Sequence, residues 1–124
     1  MIHLDTSALV AALTGPRSHA PMLRAFVVDG DRLGVSSIVL YEWWRGPRTT
    51  DELSAQEALL PARSACHFGI TEAALAADIY RRLKRRRHRE IDLAVAACAI
   101  VQHAALWTLN PRDFADIPGL ELIP

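Results

Sequence analysis

The sequence predicts an α/β fold built on a parallel sheet, and three observations support this prediction. Short apolar runs, too brief for helices, alternate along the chain with segments whose apolar residues have helical spacing. The first of these runs, residues 1–4, ends abruptly in an acid, Asp5. A later segment, residues 93–101, is apolar on nearly every side, which is typical of a helix buried against a sheet. Strands that alternate with helices pair in parallel through right-handed crossovers.

The first strand candidate, residues 1–4, is predicted to be central, because a continuous apolar run suits a strand covered on both faces. A helix is then indicated by four apolar residues at helical spacing, Ala8, Leu9, Ala12 and Leu13. Gly15-Pro16 ends this helix. The pattern places Asp5 at the carboxyl end of a strand, where ligands bind in open α/β sheets.

A second helix and a second strand follow. Ser18 is a candidate cap for a helix that runs to about residue 28, and Pro21 is tolerated in its first turn. After a turn, residues 33–35 form the second strand candidate, which Ser36-Ser37 closes.

The middle of the chain predicts two helices and a third strand. A helix over residues 38–45 carries Glu42, and a capping-box pattern at Thr49 and Glu52 starts a short helix that ends near residue 60. Residues 66–70 are the third strand candidate.

The last third repeats the alternation. Thr71 is a candidate cap for a helix whose buried face carries Leu75, Ile79 and Leu83. Asp92 opens the apolar helix, and strand candidates follow at residues 105–109 and 120–123.

The charge of the chain is balanced in total but uneven in distribution. There are 14 basic and 14 acidic side chains, and the formal net charge is zero. Half of the basic side chains fall within nine residues: Arg81, Arg82, Lys84, Arg85, Arg86, Arg87 and Arg89. A concentrated basic run indicates nucleic-acid binding, whereas a solvated helix end would look the same from composition alone.

The length and composition indicate one globular domain over residues 1–124. No apolar run reaches the roughly 20 residues that a membrane span needs. The N-terminus has no secretory signal pattern, so we expect a cytoplasmic protein. Cys66 and Cys98 lack metal-site or redox spacing and are predicted to be small buried residues.

Four acids occupy corresponding places in the predicted units. Asp5 and Asp113 follow strands, Glu42 lies on the helix after the second strand, and Asp92 opens the apolar helix. Carboxylates brought together repel by about 4 kcal/mol per pair at 4 Å with an effective dielectric near 20. A hard divalent cation, Mg²⁺ or Mn²⁺, is the usual reason to gather them, and such ions support phosphodiester hydrolysis.

Each acid also has a plain structural interpretation. Asp5 and Asp92 are good helix caps, Glu42 suits an exposed helix surface, and Asp113 suits a turn. The combination, rather than any single acid, favours a metal site.

With these motifs in order, the chain resembles a PIN domain, and within that superfamily the VapC toxins of VapBC toxin–antitoxin pairs. The matching pieces are residues 5–9, 36–42 with Gly46, 92–97, 108–114 and 119–120. Each piece is weak alone, but their order and spacing over the whole chain are specific.

The resemblance implies a three-layer α/β/α sandwich with a central parallel sheet of four to five strands. It implies a Mg²⁺- or Mn²⁺-dependent endoribonuclease, a homodimer, and inhibition by a cognate VapB-like antitoxin. Carried over position by position, the metal-binding and catalytic quartet is Asp5, Glu42, Asp92 and Asp113. Thr6 or Ser7, together with Asn110, would be supporting polar groups.

The arginine run is denser than the resemblance requires. We expect Arg85, Arg86, Arg87 and Arg89 to flank the cleft and contact RNA phosphates. The competing interpretation is that they solubilise a helix end or pair with acids such as Glu90.

Three further features are noted from the sequence. Of the adjacent Trp43 and Trp44, one could lie in the core and the other at an antitoxin or dimer interface, but core packing of both is the interpretation that we slightly prefer. Glu90 and Asp116 are spare acids, each more easily explained as a surface charge than as a metal ligand.

Other classes fit less well. A phosphatase of the haloacid dehalogenase type needs a second aspartate at position 7, which is Ser7. A receiver domain needs a lysine after a late strand, and the one lysine is Lys84. The remaining alternative is a catalytically silent PIN-fold module that binds RNA or a partner without cutting.

Overall fold

The computed structural model describes residues 1–16 and 19–124, and its centre is a parallel sheet. Four strands pair in the order β2-β1-β3-β4. Their bounds are β1 Ile2–Leu4, β2 Leu33–Gly34, β3 Ala105–Trp107 and β4 Glu121–Leu122. Strand β1 pairs with both β2 and β3, so the prediction that the first strand is central is confirmed.

Helices flank this sheet in an α/β/α arrangement, which confirms the predicted fold class. They are α1 Thr6–Leu13, α2 Ala20–Val28, α3 Ser37–Arg45, α4 Thr50–Leu59, α5 Ile70–Arg82 and α6 Glu90–Val101. Two short 3₁₀ turns cover Ala62–Ser64 and Pro111–Asp113. Helix α1 packs against α2, α3 and α4, while α6 packs against α5, α3 and β3.

Helix α6 is buried along most of its length, as its apolar sequence predicts. Every residue from Leu93 to Ala99 is buried. Five of these seven residues are Ala or Cys, and such small side chains let a helix approach its neighbours closely. The close packing matters for the site because α6 carries Asp92 in its first turn.

The capping box predicted at Thr49 and Glu52 is confirmed, and Ser36 caps a further helix without having been predicted to do so. Thr49 Oγ1 accepts a hydrogen bond from Glu52 N at 3.1 Å, and Glu52 Oε1 accepts one from Thr49 N at 2.8 Å, which completes the capping box. Ser36 caps α3 by accepting from Val39 N. The candidate cap Ser18 lies outside the described residues.

The predicted third strand at residues 66–70 is wrong. Only Cys66 makes a bridge there, to Ser36. The chain turns instead, because Gly69 N donates to His67 O at 2.8 Å and to Glu72 Oε1 at 3.1 Å. Helix α5 therefore begins at Ile70 with Gly69 as its cap, not after a Thr71 cap.

The preferred interpretation, that both adjacent tryptophans pack in the core, is wrong. Trp43 is fully buried, and the Arg48 guanidinium lies over its ring at 4.2 Å from the centroid. Trp44 is 51% exposed and donates from Nε1 to Gln56 Oε1.

Within the described part of the chain, every helix is too short or too polar to cross a membrane. Cys66 and Cys98 are buried free thiols, and burial raises the pKa of both.

Candidate active site

A cleft opens where β1 and β3 end, at the edge of the sheet where the sequence predicts ligand binding. Its volume is about 520 Å³. We call it the acidic cleft, since Asp5, Glu42 and Asp92 line it. The other lining residues are Thr6, Ser7, Val10, Ala11, Val95, Leu109, Asn110 and Phe114.

Asp5 is held rigidly in this cleft and is almost fully buried. Its Oδ1 accepts hydrogen bonds from Ala8 N at 2.9 Å and Ser7 Oγ at 2.7 Å, and its Oδ2 accepts one from Thr108 Oγ1 at 2.5 Å. The structural interpretation of Asp5 is therefore confirmed. Asp5 caps α1, and the same carboxylate lines the cleft.

Thr108 is a site residue that the sequence reasoning missed. It directly follows β3, the neighbour of β1, and its hydroxyl also accepts from Asn110 N at 3.0 Å. The available signal was its place, since polar residues after adjacent parallel strands meet at one edge. Ser7 completes the network by accepting from Leu109 N at 3.0 Å.

Glu42 reaches the cleft from α3. Its Oε1 accepts a hydrogen bond from Thr6 Oγ1 at 2.6 Å, and Arg45 Nη2 lies 3.6 Å from its Oε2. The expected supporting groups Thr6 and Ser7 are thus each bonded to one acid of the quartet. Asn110 lines the cleft and contributes a backbone N–H to Thr108.

Asp92 is the least compensated acid of the cleft. Its carboxylate makes no hydrogen bond or ion pair with any described residue. Burial, followed by repulsion from Asp113, Asp5 and Glu42, raises the pKa of Asp92 to about 6, against a partial opposing effect of Arg89. The four acids of the quartet therefore influence one another electrostatically.

Asp113 approaches Asp92 from the opposite side. It is exposed in the 3₁₀ turn after β3 and does not line the acidic cleft. Together with Asp92 it lines a second cavity of about 340 Å³. The other lining residues of this second cavity are Arg85, Arg87, His88, Arg89 and Arg112.

Arg89 clamps this side of the site. Its guanidinium makes a bidentate pair with Asp116, at 2.9 Å and 2.6 Å, and also donates to Asp113 O at 2.8 Å and Arg85 O at 2.6 Å. The hydrogen bonds from Arg89 lower the pKa of the Asp116 carboxyl. The spare acid Asp116 is therefore the ion-pair partner of Arg89.

The other spare acid, Glu90, lines neither the acidic cleft nor the second cavity. It begins α6 and lines a shallow apolar groove with Ala76, Ala77, Tyr80, Arg81 and Leu93.

The donor chemistry of the site fits a hard divalent cation. All four acids supply carboxylate oxygens, and the raised pKa of Asp92 shows that their negative charge is only partly compensated. Within residues 1–16 and 19–124, no three carboxylate, imidazole or thiol side chains are grouped closely enough to hold a metal ion as they stand. The fit is therefore one of chemistry and charge rather than of a finished ligand cage.

Comparisons with known proteins find similarity over almost the whole chain. The family model of the PIN domain matches residues 2–120. The chain is 33% identical to Ribonuclease VapC19 of Mycobacterium tuberculosis over 127 aligned residues, which cover 95% of each protein.

Two solved structures share the fold. The crystal structure of VapBC2 from Rickettsia felis, bound to a DNA fragment from its promoter, matches with a TM-score of 0.79 and 25% identity over 99% of this chain and 98% of that one. The crystal structure of DNA-bound VapBC from Salmonella typhimurium matches with a TM-score of 0.77 and 21% identity over 98% of this chain and 96% of that one. The second likeness carries the fold alone.

Proposed function

The chain belongs to the PIN domain family, and from this membership and the acidic cleft we propose that it is a divalent-metal-dependent endoribonuclease, the toxin of a type II toxin–antitoxin pair. The observation that carries the proposal is that Asp5, Glu42 and Asp92 line one cleft while Asp113 shares a second cavity with Asp92, so that the four carboxylates repel one another. A fold gains nothing from this repulsion unless a cation offsets it.

In this proposal the acidic quartet Asp5, Glu42, Asp92 and Asp113 holds Mg²⁺ or Mn²⁺. Held by these carboxylates, such a cation would supply activation of a water molecule and stabilisation of negative charge on the phosphodiester. Hydrolysis of RNA would leave a 3′-hydroxyl and a 5′-phosphate.

The neighbouring residues orient the acids. Ser7 and Thr108 fix both oxygens of Asp5, while Thr6 fixes one oxygen of Glu42. Oriented carboxylates cost less to organise when a ligand binds, since their rotamers are already set. The apolar side chains of Val95 and Phe114 line the same cleft.

We also propose a VapB-like antitoxin as partner and a homodimer as the assembled form. Exposed apolar surface supports a partner, because Tyr41 and Trp44 project from α3 and a separate apolar groove is lined by Leu23, Arg24, Val27, Val28 and Leu59. An arginine of the antitoxin would suit the free carboxylate of Asp92.

A cleavage assay with purified protein tests the nuclease proposal. RNA should be cut with Mn²⁺ or Mg²⁺ and left intact with EDTA, and the Asp92→Asn variant should be inactive with either metal. RNA cleavage that persists in EDTA would contradict the metal dependence. Stable RNA under every condition would favour the catalytically silent alternative.

Expression in cells tests the toxin proposal. Induction of the chain alone should arrest growth and produce new 5′ ends in cellular RNA. The Asp92→Asn variant should do neither, and harmless expression of active enzyme would contradict the toxin role while leaving the nuclease chemistry intact.

A further inference from the structure

The basic side chains of residues 81–89 are not equivalent, and their contacts divide them into two groups. Most of those near α5 are occupied within the protein. Arg81 and Arg82 pair with Asp78 at 3.6 Å and 3.5 Å. Arg86 donates to the carbonyl oxygens of Tyr80 and Arg81 and lies over the Tyr80 ring.

A second group faces the cavity next to Asp92. Arg85, Arg87 and Arg112 line this cavity of about 340 Å³ together with His88, and all four side chains are exposed. Among the described residues, none of the three arginine guanidiniums has a hydrogen-bond or salt-bridge partner. Asp92 and Asp113 also line this cavity, but their carboxylates make no ion pair with the three arginines. Three guanidiniums that converge with their donors free form a site for an anion.

The loop that carries two of these arginines is fixed rather than loose. Arg89 ties it to the segment after β3 through Asp116 and the backbone carbonyl of Asp113, and it also bonds to Arg85 O. His88 has a left-handed backbone conformation with φ of 62°, which residues other than glycine rarely adopt unless the surrounding structure supports it. The bond from Arg89 to the carbonyl oxygen of Asp113 also holds the 3₁₀ turn Pro111–Asp113, which carries Arg112.

The cavity also has a defined relation to the acidic cleft. Asp92 lines both spaces, so it separates the cation-rich cavity from the cleft that Asp5 and Glu42 line. A polyanion entering the acidic cleft meets repulsive carboxylates, and cations on the far side of Asp92 would offset that repulsion. Guanidinium groups suit phosphate oxygens because they bind them bidentately.

We propose that Arg85, Arg87 and Arg112 form a phosphate subsite that binds an RNA phosphate adjacent to the one being cut. This inference rests on the proposed ribonuclease function. It revises the set of arginines that the sequence analysis expected to contact RNA phosphates. Arg86 and Arg89 leave this set, because Arg86 caps α5 and Arg89 holds the loop. Arg112 joins it. Arg85 and Arg87 contact the substrate directly in this proposal, whereas Arg89 is a positioning residue.

The test is a binding measurement that does not depend on cleavage. Fluorescence anisotropy of a short fluorescein-labelled single-stranded RNA of mixed sequence is measured in EDTA, at several salt concentrations from about 50 to about 200 mM. The subsite variant is Arg85→Gln/Arg87→Gln/Arg112→Gln. The matched control, Arg81→Gln/Arg82→Gln/Lys84→Gln, removes three charges from the same basic segment but none from the cavity.

The subsite variant should bind RNA about tenfold or more weakly at low salt, and its salt slope should flatten by roughly two, since each phosphate contact on single strands contributes about 0.7. The control should flatten the salt slope by less than about 0.7, which is the contribution of one phosphate contact. Equal losses in the two variants, or no loss in either, would overturn the subsite. A thermal melt of each variant shows whether the fold is kept, and the single Arg87→Gln variant replaces the triple variant if that one unfolds.

Two further arms separate the subsite from the proposed function. The Arg85→Lys/Arg87→Lys/Arg112→Lys variant should keep the salt slope but lose part of the affinity, because charge remains while bidentate contacts do not. If it instead bound like the glutamine variant, loss of charge would not explain the effect and the proposal would fail. Wild-type protein that binds RNA through these arginines but never cuts it would refute the nuclease and leave the phosphate subsite standing.

Discussion

Asp5 and Asp92 line the same cleft, but the protein holds them in opposite ways. Asp5 accepts three hydrogen bonds, from a backbone N–H and two hydroxyls. Asp92 makes none with the described residues, and its pKa is raised to about 6 by burial and by the other acids. The Asp5 carboxylate therefore stabilises the fold as well as lining the cleft. The ionised form of the Asp92 carboxylate, in contrast, is destabilised by its surroundings.

From this difference we expect the two acids to affect the free energy of unfolding in opposite directions. Removing Asp5 should cost stability because its donors lose their acceptor. Removing Asp92 should cost none and relieve repulsion. Activity, if the proposed function is correct, should depend on both.

The largest expected effect is on cleavage, where the two acids should behave alike. Asp5→Asn and Asp92→Asn should each lower kcat/KM by about a hundredfold or more, since even residues behind metal ligands cost tenfold to a hundredfold. Initial rates on a labelled RNA with Mn²⁺ measure this. Asp78→Asn, which removes an acid from α5 outside the cleft, is the control and should cut at the wild-type rate.

The next effect separates the two acids by stability. Asp5→Ala should lower the free energy of unfolding by about 2 to 3 kcal/mol, because it removes the α1 cap and leaves buried donors unpaired. Asp5→Asn should lose less, as Asn is also a good cap. Urea denaturation in EDTA is the measurement. An Asp5→Ala variant as stable as wild type would show that the hydrogen bonds of Asp5 do not stabilise the fold.

The third effect concerns pH. The pKa of Asp92 is higher in the folded protein than its ordinary value of 3.8, so its contribution to stability is full below pH 4 and is lost as pH rises through about 6. In EDTA the Asp92→Asn variant should therefore be more stable than wild type at pH 7, by about 1 to 2 kcal/mol after screening by solvent.

That advantage should vanish near pH 4, where Asp92 is protonated in wild type as well. Urea denaturation of both proteins across this range measures the difference. A constant gap at all pH values would mean that the substitution acts through packing and not through charge.

The smallest effect concerns the clamp behind Asp92. Arg89→Gln should reduce stability by about 1 kcal/mol or less, because the Asp116 side of the pair is exposed to solvent. It should reduce kcat by roughly tenfold, as Asp113 loses its fixed turn. Asp116→Asn should show a milder form of the same change, since Arg89 keeps its bonds to the backbone carbonyls. An unaltered kcat in both variants would show that the contacts of Arg89 do not control the position of Asp113.

The sequence predicted the places of the acids better than their environments. Asp5 was located by the apolar run before it and Glu42 by its helix, because local patterns determine strand ends and helix faces. Asp92 was expected to open its helix and instead lies in the first turn, after Glu90. These are shifts of a residue or two, which local patterns rarely resolve.

Contacts between distant side chains were beyond the reach of the sequence. The hydrogen bond from Thr108 to Asp5 spans 103 positions, and the pair of Arg89 with Asp116 spans 27. Both depend on rotamers that tertiary packing selects. The mistaken strand at residues 66–70 has a local cause, since the reach of Glu72 back to Gly69 outweighs the apolar composition of the segment.

The bond from Thr108 to Asp5 also has a consequence for biosynthesis. Strand β1 is made first, yet its neighbour β3 and the turn that carries Asp113 are made near residue 110. During translation the early acids emerge without the partners that orient Asp5, because pairing with β3 must wait for more than 100 further residues. A nascent chain is therefore unable to complete its cleft until synthesis is nearly finished.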